Sequence, residues 1–136
     1  MVSSPKILII DDEMQMRFYL KTIVLSLGFD PILARNGANG IELLKQESPD
    51  VIVLDIMMPE KGGALVYQEL MKDTEHADIP IIFFTGVDKT AFLHHIRMLN
   101  ATLAVPIPEP GIYIPKDADP EYLKEMIRSC ASTKPV

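Results

Sequence analysis

Three short runs of consecutive apolar residues constrain the fold of this chain more than any other feature of its sequence. They read ILII at 7–10, VIVL at 51–54 and IIFF at 81–84, and polar residues do not alternate within them. A strand that is apolar on both faces is typical of a parallel sheet covered by helices on both sides. Because the runs are short and contain many β-branched residues, we interpret them as strands rather than as buried helices.

Helical patterns separate these strands along the chain. Apolar residues between Met16 and Leu27 recur on one helical face, and Gly28 follows them as a predicted C-terminal cap. Asp119 and Pro120 are typical of the N-cap and the first position of a last helix. The predicted strands are Lys6–Ile10, Pro31–Ala34, Val51–Leu54, Pro80–Phe84 and Ile112–Ile114. Strands and helices that alternate in this way predict an α/β fold with a doubly wound, five-stranded parallel sheet.

Charge and composition exclude several classes of protein. The formal net charge of −6 disfavours nucleic-acid binding through bulk positive charge. The single cysteine, Cys130, excludes an intramolecular disulfide framework and a metal site built from several cysteines. No apolar run approaches the roughly 20 residues that span a bilayer. We therefore expect a cytoplasmic protein of one domain that contacts neither a membrane nor nucleic acid directly.

Polar residues that could carry chemistry follow four of the predicted strands. Asp11 and Asp12 follow the first strand, Asp55 the third, Thr85 the fourth, and Lys116 the fifth after one proline. In an open α/β sheet, ligands bind beyond the carboxyl ends of the strands. These side chains are therefore predicted to converge on one edge of the sheet.

Such a set of side chains suits phosphoryl transfer to a carboxylate. Neighbouring carboxylates repel each other unless a cation joins them, and Mg²⁺ prefers hard oxygen ligands. We predict that Asp11 and Asp12 hold Mg²⁺, or another divalent cation such as Mn²⁺. Asp55 would accept the phosphoryl group as an acyl phosphate. Thr85 and Lys116 would bind the phosphoryl oxygens.

Each of these residues also has a purely structural interpretation. An acidic run such as 11–13 is typical of a helix N-terminus, where carboxylates cap the backbone and interact favourably with the helix dipole. Asp55 could be an acid of an ordinary loop, Thr85 a turn hydroxyl and Lys116 a solvated charge. Capping does not explain why the right chemical type follows four separate strands.

Four segments and two later residues occur in an order that is typical of one protein family. They are ILIIDDE at 7–13, ANGIELL at 38–44, PDVIVLDIMMPEKGG at 49–63 and IPIIFFTG at 79–86, followed by Tyr113 and Lys116. Together they resemble the receiver domain of two-component response regulators, which includes the chemotaxis-regulator-like proteins. The resemblance covers residues 6–130, and it implies a single receiver domain over 1–136 with the flavodoxin-like (βα)5 fold.

The resemblance implies a role for each site residue. Asp55 would be the phosphoacceptor, Thr85 and Lys116 would contact the phosphoryl group, and Thr85 and Tyr113 would switch on phosphorylation. The metal ligands would be Asp11, Asp12, Asp55 and the backbone carbonyl of Met57.

The implied function is a phosphorylation-dependent signalling switch rather than an enzyme with a turnover substrate. The phosphoryl group would come from a sensor histidine kinase or a phosphotransfer protein, and hydrolysis assisted by the domain itself would remove it. A downstream effector or a dimer partner would bind the face formed by the fourth helix, fifth strand and fifth helix. Because the chain ends about one helix after Lys116, we expect no output domain in it, whether it stands alone or is part of a larger protein.

Two features depart from the family pattern. Asp117 follows Lys116 where the family usually has a proline after a cis peptide bond, so the resemblance does not fix the reach of Lys116. The segment 99–111 is longer than usual and rich in proline. We predict that this insertion forms an ordered or partly ordered lid beside the fifth strand and alters the partner face rather than the chemistry. The alternative is a mobile surface loop with no role.

Other functions share parts of this pattern. A receiver-like module that binds partners without phosphorylation is favoured by the altered residue after Lys116 and opposed by the complete acidic set. A phosphatase of the haloacid-dehalogenase type would carry a second aspartate two residues after the nucleophile, where this chain has Met57. A flavodoxin-like cofactor binder shares the topology, but the carboxylates after the first strand would repel a flavin phosphate.

Overall fold

Five strands alternate with five helices in the computed structural model, which describes residues 4–56, 63–73, 75–103 and 111–132. The strands are Lys6–Ile10 (β1), Asp30–Ala34 (β2), Val51–Leu54 (β3), Ile81–Thr85 (β4) and Ile112–Pro115 (β5). The helices are Met14–Ser26 (α1), Gly37–Glu47 (α2), Gly63–Lys72 (α3), Lys89–Asn100 (α4) and Pro120–Ser132 (α5). The five predicted strands are confirmed, and the ends of each lie within one residue of the prediction.

All five strands pair in parallel in one sheet of order β2-β1-β3-β4-β5. The chain moves outward from β1 to β2, returns to pair β3 with the other side of β1, and then continues outward to β5. The predicted doubly wound fold is therefore confirmed. A strand order that reverses in this way leaves a crevice at the carboxyl ends of β1 and β3, where the two following loops diverge.

Two separate hydrophobic cores explain why the apolar runs are continuous. Ile7 and Ile9 pack with residues of α1 and α5 on one face of the sheet, whereas Leu8 and Ile10 pack with residues of α2, α3 and α4 on the other. Side chains alternate between these cores along β3 in the same way. The apolar residues 7–10 and 51–54 are therefore all buried, and the polar residues Lys6 and Thr85 occur only at the ends of their strands.

Backbone geometry confirms the predicted helix ends. Gly28 adopts a φ of 78°, and its amide donates to the carbonyl of Leu25 at 3.0 Å, while the next amide, of Phe29, donates to Val24 at 3.2 Å. This pair of bonds is a Schellman cap, and the left-handed φ explains the glycine. Asp119 caps α5 through its Oδ1, which accepts from the amide of Glu121 at 2.9 Å. Within the described ranges, no helix has the length and apolar character needed to cross a membrane.

A side chain ties the amino ends of β1 and β3 together. The amide of Asp50 donates to the carbonyl of Lys6 at 2.8 Å, and Oδ2 of Asp50 accepts from the amide of Lys6 at 2.8 Å. The two residues thus exchange a pair of hydrogen bonds just before β3 begins. The carboxylate thus takes the place of a backbone carbonyl in the hydrogen bonding between β1 and the residue before β3.

Only part of the predicted insertion 99–111 lies among the described residues. Its first two residues complete α4, and Leu103 packs against the core that contains Leu8. Because β5 begins at Ile112, the segment rejoins the sheet at the amino ends of the strands. Residues 104–110 lie outside the described residues, so the lid stays a prediction.

Candidate functional site

The backbone hydrogen bonding of the sheet continues into the polar residues that follow the strands. The amides of Asp11, Asp55 and Lys116 donate to the carbonyls of Ala34, Ile10 and Thr85 at 3.2, 3.0 and 3.1 Å. Because these bonds continue the pairing of buried strands, they fix where each polar side chain starts. The predicted convergence of Asp11, Asp55 and Lys116 on one edge is therefore observed.

Asp11, Asp12 and Asp55 form a compact group of carboxylates at this edge. One carboxylate oxygen of each lies within 4.8 Å of those of the other two. The side chains of Asp11 and Asp55 are each 1% exposed, so water solvates their charge poorly. Three oxygens of the same hard type, from three residues, match the ligand set that a small divalent cation prefers.

The two oxygens of Asp11 have different environments. Oδ1 accepts from the amide of Glu13 at 2.9 Å in the turn before α1. Oδ2 is buried and accepts no hydrogen bond within the described part of the chain, although Nζ of Lys116 lies 3.4 Å away. Burial is the main cause that raises the pKa of Asp11, the negative charge of Asp55 adds to it, and the Glu13 amide and Lys116 oppose it. Oδ2 is thus a buried acceptor that faces the Lys116 ammonium but receives no hydrogen bond from the described residues.

Helix capping does not account for the acidic run. Glu13 occupies the N-cap position of α1, and its side chain makes no capping hydrogen bond. Oδ1 of Asp11 does contact the backbone, but that contact belongs to the turn rather than to the helix. The structural interpretation of residues 11–13 is therefore insufficient by itself.

Lys116 extends across the edge into the carboxylate group. Its Nζ lies 2.9 Å from Oε1 of Glu13, 3.2 Å from Oδ2 of Asp55 and 3.4 Å from Oδ2 of Asp11. Burial lowers the pKa of Lys116, but the bond with Glu13 and the charges of both aspartates outweigh it, so the pKa is raised overall. No peptide bond in the described ranges is cis. Asp117 therefore does not prevent Lys116 from reaching Asp55.

Thr85 and Tyr113 lie on the neighbouring strands β4 and β5. Thr85 is buried, and its Oγ1 accepts from the amide of Val87 at 3.2 Å. Tyr113 pairs in register with Phe83, so strand alternation directs Thr85 and Tyr113 to the same face. The hydroxyl of Tyr113 is buried and has no hydrogen-bond partner among the described residues. Burial raises the pKa of this hydroxyl, and the charge of Asp88 adds to the effect. Met57, the other predicted site residue, lies outside the described residues.

Two residues of the site were missed by the sequence reasoning. The side chain of Glu13 forms an ion pair with Lys116 and does not cap α1. Arg17, near the start of α1, donates from its guanidinium to the backbone carbonyl of Asp11 at 2.8 Å. A positive charge so close to a helix N-terminus interacts unfavourably with the helix dipole. This unfavourable position was the feature of the sequence that could have indicated another role for Arg17.

The opposite edge of the sheet carries a second group of titratable side chains. Asp73, Glu75 and His76 lie between α3 and β4, and their ligand atoms lie within 4.8 Å of one another. Oδ1 of Asp73 accepts from the amide of Glu75 at 3.0 Å, and its Oδ2 lies 2.8 Å from Nδ1 of His76. The bond with His76 is the main cause that lowers the pKa of Asp73. Contacts inside this short turn account for the group.

Comparisons with known proteins agree with this geometry. A probable transcriptional regulator, ycf27, of Porphyridium aerugineum is 36% identical over 124 residues, which cover 91% of this chain and 47% of that protein. Protein PilH of Pseudomonas aeruginosa is 37% identical over 84 residues, which cover 62% of this chain and 69% of PilH. The chain thus spans about half the length of the ycf27 relative.

The solved structure of the chemotaxis protein CheY4 of Vibrio cholerae has the same fold. It matches with a TM-score of 0.79 over 94% of this chain and 99% of CheY4, at 17% sequence identity. The sequence itself matches the response regulator receiver domain over residues 7–128. The chain therefore belongs to the family of response regulator receiver domains, which are signalling modules of two-component systems.

Proposed function

We propose that the chain is a phosphorylation-dependent switch that accepts a phosphoryl group on Asp55. The observation that carries this proposal is the contact between a buried carboxylate and a partly buried ammonium at the sheet edge. Oδ2 of Asp55 lies 3.2 Å from Nζ of Lys116, and Asp55 also belongs to the carboxylate group with Asp11 and Asp12. A nucleophile, a cation to stabilise oxygen charge and ligands for a metal ion thus occur within one crevice.

Position in the sheet favours Asp55 over the other two aspartates as the acceptor. It follows β3, the central strand, so it lies between the loops that follow β1 and β4. Asp11 already uses Oδ1 in the turn before α1. In the transfer, an oxygen of Asp55 forms a bond to phosphorus while the bond from phosphorus to the donor's imidazole nitrogen breaks. The nitrogen keeps that electron pair and is free to take a proton.

Asp11, Asp12 and Asp55 fit a divalent cation such as Mg²⁺ or Mn²⁺. Their oxygens lie within 4.8 Å of one another, and Oδ2 of Asp11, which accepts no hydrogen bond among the described residues, is an acceptor that such an ion would satisfy. When bound, the ion would neutralise negative charge on the phosphoryl oxygens. The backbone carbonyl of Met57 is a further proposed ligand. Lys116 stabilises the same oxygens from the side of β5.

Thr85 and Tyr113 are proposed to transmit the phosphorylated state to the face formed by α4, β5 and α5. The Thr85 hydroxyl accepts from the amide of Val87, which lies just before α4, and can donate its own proton to a phosphoryl oxygen, so a movement of this side chain would reach the start of α4. Tyr113 can change its position without losing a hydrogen bond among the described residues. Exposed apolar side chains on α4 and α5, Met98 and Tyr122, support this face as the binding site of an effector or a dimer partner.

Phosphorylation with a small donor tests the proposal directly. Acetyl phosphate with Mg²⁺ should add the mass of one phosphoryl group to the wild-type chain, read as intact mass, and none to Asp55→Asn. Addition of EDTA should abolish the label. A wild type that acquires no label from acetyl phosphate or phosphoramidate would instead support a receiver-like module that binds partners without phosphorylation. A fully labelled Asp55→Asn would move the acceptor to another residue.

A further inference from the structure

Of the three carboxylates around the Lys116 ammonium, that of Glu13 lies nearest to it. The distance from Nζ to Oε1 of Glu13 is 2.9 Å, compared with 3.2 Å to Oδ2 of Asp55. The ammonium of Lys116 therefore interacts both with the proposed acceptor, Asp55, and with Glu13, to which the proposed phosphoryl transfer gives no role. Because the two residues are 103 positions apart, this contact is a product of the fold rather than of local sequence.

The carboxylate of Glu13 does not cap the helix that it precedes. Glu13 is the N-cap residue of α1, but its side chain accepts no capping hydrogen bond. The side chain is 60% exposed, whereas those of Asp11 and Asp55 are 1% exposed. Glu13 thus lies on the solvent side of Lys116, where an anion that approaches Asp55 would meet it.

We propose that Glu13 is a positioning residue that competes with a phosphoryl group on Asp55 for Lys116 and so limits how tightly the site holds that group. This inference rests on the proposed phosphorylation of Asp55. In the unphosphorylated state, the ammonium of Lys116 forms an ion pair with Glu13 on the solvent side of the site. A phosphoryl group on Asp55 has to draw the ammonium away from Glu13, and the carboxylate of Glu13 then lies near the negative phosphoryl oxygens.

Electrostatics give the direction of the effect. Phosphorylation replaces the single negative charge of Asp55 with a phosphoryl group of greater negative charge. The ammonium of Lys116 then has a stronger partner, and the carboxylate of Glu13 becomes a repulsive neighbour. Removing only the charge of Glu13 should therefore favour the phosphorylated state. Because Glu13 is exposed, dissolved salt should screen the effect.

Binding of beryllofluoride, a mimic of the phosphoryl group, measures this competition at equilibrium. With saturating Mg²⁺ and low salt, Glu13→Gln should bind beryllofluoride about threefold to tenfold more tightly than wild type. The gap should shrink at high ionic strength. Glu13→Asp, which keeps the charge on a shorter side chain, should fall between the two. Titration calorimetry gives each dissociation constant.

Glu125 provides a matched control for the loss of a surface charge. It also lies 2.9 Å from a basic side chain, Arg128, and it is exposed on α5. Glu125→Gln should bind beryllofluoride as wild type does at every salt concentration. Thermal unfolding of all variants verifies that each is folded.

The possible outcomes separate this inference from the proposed function. Tighter binding by Glu13→Gln with a gap that salt removes supports competition. Equal or weaker binding by Glu13→Gln, with normal binding by wild type, overturns the inference and leaves Asp55 as the acceptor; Glu13 would then only support the position of Lys116. If folded wild type and all variants fail to bind beryllofluoride, the proposed function fails and the inference fails with it.

Discussion

Carboxylates tie strands together at the amino edge of the sheet, whereas at the carboxyl edge they crowd around an ammonium. At the amino edge, Asp50 accepts a hydrogen bond from the amide of Lys6 at 2.8 Å and thereby extends the pairing of β1 with β3. At the carboxyl edge, Lys116 lies within 3.4 Å of three carboxylates, and Oδ2 of Asp11 is buried without a hydrogen bond among the described residues.

The two edges differ in how completely their polar groups are paired, not in which residue types they contain. Buried polar groups in proteins are usually satisfied, and exceptions mark places where a ligand or a reaction completes the pairing. The carboxylate of Asp50 therefore belongs to the structure of the sheet. The carboxylates around Lys116 are the ones that we propose bind a cation and a phosphoryl group. Substitutions at both edges can test this distinction.

The largest difference between the edges is expected in metal binding. Asp12→Ala should weaken Mg²⁺ binding by about tenfold to a hundredfold, because it removes one of three hard oxygen ligands. Glu75→Ala removes a carboxylate from the group at the amino edge and should leave the Mg²⁺ affinity unchanged. Titration calorimetry of both variants decides the matter. An equal loss of Mg²⁺ affinity in Glu75→Ala would contradict the prediction that the ion binds at the carboxyl edge.

The next effect is a loss of stability at the amino edge. Asp50→Ala leaves the amide of Lys6 without its carboxylate acceptor and should lower the free energy of unfolding by about 1–3 kcal/mol. Asp30→Ala is the matched control, because Asp30 begins β2 and is exposed. It should change the free energy of unfolding by no more than about 0.5 kcal/mol. Urea unfolding measures both, and equal losses would remove the special role of Asp50.

The smallest effect has the opposite sign and occurs at the carboxyl edge. Asp11→Asn should raise the free energy of unfolding at pH 7 in EDTA by on the order of 1 kcal/mol, because it removes a buried charge next to Asp55. The pKa of Asp11 is raised above 3.8 in the folded chain, so ionisation disfavours the fold. The advantage of Asp11→Asn should therefore be full above the raised pKa and shrink as the pH falls toward 3.8. A variant that is less stable than wild type would mean that pairing with Lys116 outweighs burial.

Residues at strand ends could be predicted from the sequence, and contacts between loops could not. The strands were predictable because burial on both faces leaves runs with no polar residue, and Asp11 and Asp55 were predictable because each directly follows such a run. The contact of Glu13 with Lys116 depends on how two loops approach each other across the sheet edge. No periodicity in the chain encodes that approach.

The neighbourhood of Thr85 shows the same limit. Its place at the end of β4 follows from the apolar run before it, but the hydrogen bond that its hydroxyl accepts from the amide of Val87 depends on the dihedral angles of one turn. The hydroxyl of Tyr113, which has no hydrogen-bond partner among the described residues, is buried because the ring packs against the core that contains Leu8. The sequence places such residues on an element and leaves the orientation of each side chain open.

The division of each strand between two cores also governs how a chain of this kind can change its length. Inserting or deleting one residue inside β3 would send every later side chain of the strand into the opposite core and would turn Asp55 away from Lys116. Substitutions that preserve side-chain size are therefore tolerated in the strands, whereas additions are confined to the connections. The long segment between α4 and β5 fits this rule, since it rejoins the sheet at the edge remote from Asp55. Homologues should accordingly vary in length before their strands and keep a constant length from each strand to the polar residue that follows it.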